Sequence, residues 1–253
     1  MDDEIWNQNA ATFFGLGYRT SLPVIEDMEE PVNFHRGLAA KLASALGRTF
    51  DPAPWDFIEA GNLPAGGAVE VVGGWPSPGV ATGGGPGDTP WSAITQVAPA
   101  AHDASYGAGV SLPWPSNPLS ALAGLPTLSR LEDQQAERHV QDIGAAVGLW
   151  WSTAEHLTGS TAGVPMIQTG RRSWIFPDRS AGTTPSWVFF NIANALSAVP
   201  GAITIDAIRS SKAAAFITGT GAVTVIETLD GTDLAPDREQ VLTLLTTRLR
   251  FLA

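Results

Sequence analysis

The chain has 253 residues, room for one large domain or two small ones with a substantial core. Charged residues make up 15%, below the roughly 25% of ordinary soluble domains, and the net charge is −11. Gly (27) and Pro (19) are enriched without a repeat, which excludes collagen, and the 44% apolar content excludes a disordered polyanion.

Charge and cysteine narrow the function classes further. The span between Arg48 and Arg130 carries no Lys or Arg but holds Asp51, Asp56, Glu59, Glu70, Asp88 and Asp103. A phosphate backbone needs a basic footprint, so no nucleic-acid partner is expected. No apolar run nears the ~20 residues of a membrane span, so no membrane insertion is expected. The opening Met-Asp-Asp-Glu is unlike a secretory leader. With no cysteine, disulfides, thiolate catalysis and iron–sulfur clusters are excluded. No cofactor is expected.

In chain order, Pro31 precedes a helix in which Phe34, Leu38, Leu42 and Ala45 recur at helical spacing, with Gly47 as its stop. Glu26, Asp27, Glu29 and Glu30 sit ahead of it and favour the positive end of its dipole. Residues 61–90 contain ten Gly and five Pro, with one strand candidate at Ala68–Val72. Residues 61–116 therefore read as an extended, arm-like segment. Asn117-Pro118 predicts a short helix up to Gly124, and Ser129-Arg-Leu-Glu132 has the form of a capping box. Leu131, Ile143, Val147, Trp150, Ala154 and Leu157 then predict one long helix from about Ser129 to Leu157.

Ser186 predicts the cap of a buried helix over Trp187–Leu196. Three strand candidates follow, at Ala202–Arg209, Ala213–Thr218 and Ala222–Leu229, separated by hairpin-length turns. Val241, Leu245, Leu249 and Leu252 mark a last amphipathic helix. The fold class expected is α+β: an irregular Gly/Pro/Trp-rich N-terminal part with one helix, then a long helix, a buried helix, a three-stranded antiparallel meander and a C-terminal helix. The expected division is an acidic region 1–116 and an α+β domain 117–253.

Catalytic motifs are missing. There is no Gly-x-Ser-x-Gly elbow, and Ser77 in Gly-Trp-Pro-Ser-Pro-Gly stands one residue too far on. His102, Asp103 and Ser105 are neighbours in sequence, whereas a triad is assembled from distant segments. Glu155-His156 has no second histidine four residues away, and His35 and His139 read as packing residues. No Walker loop occurs, and a strand follows Gly219-Thr-Gly221 where a dinucleotide fingerprint needs a helix.

What stands out is tryptophan, nine residues against two tyrosines. Trp75, Trp91 and Trp114 lie in Gly/Pro-rich segments, and read as anchors on the same fold, on a partner or under a ligand. An arm carrying such anchors, with no catalytic motif, points to a non-enzymatic structural subunit of a large assembly, located in a bacteriophage virion as a capsid, head–tail connector or tail component. Its partners would be copies of itself or other structural subunits. A carbohydrate- or receptor-binding module using the same tryptophans is the alternative, with a glycan as partner. A hydrolase with paired carboxylates is the third reading.

Overall fold

The computed structural model describes residues 17–61, 63, 66–75, 90–116, 124–126, 131–170, 173–178 and 183–252. The N-terminal part is built on a three-stranded antiparallel sheet in the order β1 (Gly17–Pro23), β2 (Ala68–Gly74) and β3 (Trp91–Val97). In β1 and β2 the buried positions alternate with half-buried ones, so that Tyr18, Leu22, Val69 and Val71 enter one core. Helix α1 (Glu29–Ala45) covers that core with Val32, Ala39 and Leu42, and α2 (Ala53–Glu59) adds Trp55 and Ile58.

The second sheet has nine strands and curls on itself. Its order is β6 (Leu157–Ser160), β5 (Val147–Trp151), β4 (Ser105–Ser111), β11 (Val223–Leu229), β10 (Ala213–Ile217), β7 (Val164–Gln168), β8 (Trp174–Pro177) and β9 (Val199–Gly201), with β12 (Thr232–Asp233) beside β11. β10 is buried on both faces. Ala213, Ala215 and Ile217 pack with α4 (Trp187–Ala195) and α6 (Arg238–Leu249) through Val188, Ile192, Val241 and Leu244. Ala214 and Phe216 face the other way, into a core with Ile203 and Ile208. α3 (Leu131–Asp142) lies on the edge near β5, through Ala136 and Val140.

This arrangement corrects the expected fold class. The described part of the arm-like segment 61–116 is strand for much of its length: β2, β3 and β4. Their backbone bonds are made to chain that is distant in sequence, so Gly and Pro content alone read them as irregular. β1 carries no strong strand signature, and α2 was not anticipated. The long helix stops at Asp142, because Gly144 adopts φ +70° and the Ala145 N–H turns back to Val140 O (2.9 Å). Beyond it, Val147 and Leu149 alternate as strand residues under the sheet. The strand expected at Ala202–Arg209 is absent: β9 ends at Gly201 and the span forms α5 (Ile205–Arg209), whose N-cap Thr204 accepts from Ala207 N–H.

Other elements lie where the sequence places them. Ser186 Oγ caps α4 by accepting from Phe189 N–H, and β10 and β11 pair as an antiparallel hairpin. The helix expected from Asn117 and the capping box at Ser129 lie outside the described residues. Among the described residues no helix is long and apolar enough to cross a membrane.

Candidate functional site

A cleft of about 440 Å³ opens between the two sheets. One wall is β1, through Arg19, Thr20 and Ser21, with His35 of α1 behind it. The opposite wall is the end of the curled sheet, with Thr158, Ser160 and Ile217, and the segment Thr183–Ser186 that leads into α4. Glu132 and Asp133, in the first turn of α3, stand at the rim. The closeness of the walls depends on Gly219 in the β10–β11 turn, where a Cβ would lie 2.4 Å from Ser21 O.

Hydroxyl groups dominate the lining, and many already hold the walls together. Thr183 Oγ1 donates to Thr158 O, Thr158 Oγ1 donates to Trp150 O (3.0 Å), and Thr184 Oγ1 donates to Leu125 O (3.2 Å). Ser160 Oγ donates to Gly163 O (2.7 Å) and so shapes the β6–β7 turn. Arg19 is the one Lys or Arg among the described lining residues, and its Nε is engaged by Glu70 of β2.

His35 is 1% exposed. Its Nε2 accepts the Trp187 N–H (3.3 Å), which leaves the ring proton on Nδ1 to be donated to Thr20 Oγ1 (2.6 Å). Burial pushes its pKa down to about 3, so the ring is neutral. Asp133 is moved in the opposite sense. Burial first, then the charges of Glu137 and Glu132, raise its carboxyl to about 6, with Arg19 opposing.

The residues singled out in the sequence lie elsewhere. Trp75 is buried in the N-terminal core, tilted against Tyr18, and its Nε1–H donates to Thr49 O (2.6 Å). Trp91 opens β3 opposite Gly74, half-buried. Trp114 is half-buried and meets His139 edge-on at 5.9 Å between ring centroids. None of the three lines the cleft. His102 and Asp103 sit in an exposed turn before β4, and Ser105 bonds Thr224 across the sheet (2.8 Å). No group of three metal-binding side chains occurs among the described residues.

Of the cleft residues, the sequence marks His35 as a packing residue, Glu132 and Ser186 as helix-capping residues, Trp150 as a helix residue and Gly219 as a turn glycine, none of them as part of a site. The remaining signal was faint: Ser and Thr clustered at 158–161 and 183–186, beside turns.

No protein-family model and no curated protein sequence matches the chain. Solved structures do. A protein of Legionella pneumophila assigned as a 4-amino-4-deoxychorismate lyase superposes with a TM-score of 0.77 at 16% identity, over 94% of this chain and 93% of that one. A fold IV-transaminase from Curtobacterium pusillum gives 0.77 at 15% identity, over 95% and 86%. A hypothetical aminotransferase from Mycobacterium tuberculosis, solved with pyridoxal phosphate (PLP) bound, gives 0.76 at 17% identity, over 94% and 90%. The chain thus has the fold-type IV aminotransferase fold. That finding overturns the reading as a non-enzymatic virion subunit, and the virion location falls with it.

Proposed function

Starting from a fold shared with aminotransferases and a lyase, we propose that the chain is an enzyme acting on a small polar molecule in the cleft between its sheets. Asp133 is the group that carries the proton. The observation that bears most weight is a carboxyl with its pKa raised to about 6 at the mouth of a hydroxyl-lined cleft. Such a group is a base at neutral pH and regains its proton readily, as an acid–base catalyst must. The hydroxyls of Thr20 and Ser21 supply directional contacts for a polar substrate. His35 is no acid–base group, because its ring stays neutral over the working range.

PLP belongs to the Mycobacterium tuberculosis neighbour, and enzymes hold it through a Schiff base to a lysine. This chain has two lysines, Lys41 and Lys212, both exposed. Lys41 follows His35 by six residues on α1, which turns it about 120° away around the helix and about 9 Å along it. Lys212 precedes β10, five residues from the Ile217 that touches the cleft, or about 17 Å along a strand. Neither lines the cleft, and the distance exceeds the reach of a four-carbon stem. The cleft does not fit covalently held PLP, and the proposed chemistry takes no step through it.

The test is turnover of a metabolite extract, followed by mass spectrometry with wild type and Asp133→Asn. Wild type is expected to deplete at least one small molecule, on a pH profile with a limb near 6, and Asp133→Asn to slow that by about 10²–10⁴-fold. Equal rates in both proteins would remove Asp133 from the mechanism. No depletion by wild type would remove the enzymatic reading.

A further inference from the structure

We propose that His35 closes this cleft to phosphate-bearing ligands, PLP included, so that the molecule it takes carries no phosphate. The inference rests on the cleft being the working site. A helix N-terminus on a cleft wall presents backbone N–H groups that suit an anion. In α4 two of those groups are already taken. Trp187 N–H is taken by His35 Nε2, Phe189 N–H by Ser186 Oγ, and Pro185 has no N–H to offer.

In the neighbouring turn two further N–H groups are taken. Around β10–β11, Ala222 N–H donates to Thr218 Oγ1 (2.9 Å) and Gly221 N–H to Thr218 O (3.0 Å). The hydroxyls of Thr218 and Thr220 bond each other (3.0 Å).

Charge acts in the same direction. Arg19 is engaged by Glu70, while Glu132 and Asp133 place negative charge at the rim. A doubly charged phosphate would meet repulsion at the entrance and no free cation among the described lining residues. His35 is decisive because it lines the cleft and occupies the first N–H of α4. It holds its place from both sides, since Thr20 accepts from Nδ1–H while Nε2 accepts from α4. The lysine that would bind the carbonyl carbon of PLP is therefore lacking, and the donors that would cradle its phosphate are taken at Trp187, Phe189, Gly221 and Ala222.

The experiment uses inorganic phosphate and PLP as probes with the full chain. Wild type is expected to show no saturable change in the PLP absorption spectrum. After borohydride reduction, peptide mapping should find pyridoxyl groups only on Lys41, Lys212 and the α-amino group, in proportion to the PLP added. A one-to-one complex with micromolar affinity, competed by inorganic phosphate, would overturn the proposal.

His35→Arg places a buried cation at the cleft wall. It is expected to melt lower than wild type, and to regain stability in phosphate saturably and by more than wild type does. His35→Ala, which only uncovers the Trp187 N–H, should show the same gain more weakly, and His35→Gln, which keeps an acceptor there, should show none. Equal phosphate responses in wild type, His35→Arg and His35→Ala would overturn the role of His35. These readouts are binding and melting, so they stand or fall separately from the turnover of Asp133→Asn.

Discussion

His35 joins a strand near the start of the chain to a helix 152 residues away, and does so as a neutral ring. Its folded pKa of about 3 lies below the 6.5 of an unfolded histidine, so between those values the unfolded chain binds more protons. Its contribution is complete above pH 6.5 and is lost as pH falls toward 3. The expected outcome is a urea midpoint that drops between pH 6.5 and 4, with a flatter profile in His35→Gln. Asp133 has the opposite sign. Its folded pKa is raised to about 6 from 3.8, so the stability it lends is complete below 3.8 and lost as pH rises through 6. Asp133→Asn should therefore melt higher than wild type at pH 7.5, with the difference vanishing at pH 4. Neither shift could be read from the sequence, because burial and the charges of Glu132 and Glu137 cause one and burial alone the other.

At the scale of elements, the β10–β11 turn is the point where the large sheet meets β1. Gly219→Ala would drive a Cβ into Ser21 O at 2.4 Å, and backbone must move to relieve it. The expected cost is about 2 kcal/mol, read as a lower urea midpoint. Local signals located the elements whose partners are near in sequence. Ser186 as a cap, the α4 apolar run and the β10–β11 hairpin all rest on short-range bonds and could be read directly. The strands paired over long distances could not. β4 bonds to β11 in parallel more than a hundred residues on, and β2 pairs with β1 across the two helices α1 and α2 and with β3 beyond a Gly/Pro-rich stretch. For the long helix, the apolar spacing from Ile143 to Leu157 matched a helical period by coincidence. The left-handed turn at Gly144, visible in the sequence only as one more glycine, ends it.

Across the whole molecule, Arg248 ties the C-terminal helix to the connection between the two sheets. It is 0% exposed, and its guanidinium donates to the carbonyls of Ala101 and His102 before β4 and of Gly221 in the β10–β11 turn. Arg248→Met would leave those carbonyls without a donor, at an expected cost of about 3 kcal/mol, measured as loss of stability in urea. The net charge of −11 acts at the same scale. Binding to duplex DNA at physiological salt is expected to be undetectable by fluorescence anisotropy.

Composition alone determined what this protein lacks. Zero cysteines and two lysines are properties of the chain that no folding can alter, and they bar cysteine thiol chemistry and leave two side chains able to form a Schiff base. The lysine count carried a further meaning that emerged only when the tertiary structure placed both lysines outside the cleft. The cleft itself is purely tertiary. Its walls include residues 19–21, 35, 132–133, 158–160, 163–164, 183–186, 217 and 219, segments that share no local pattern. They meet because strand pairing and burial of the two cores bring them together, and those are interactions between distant parts of the chain.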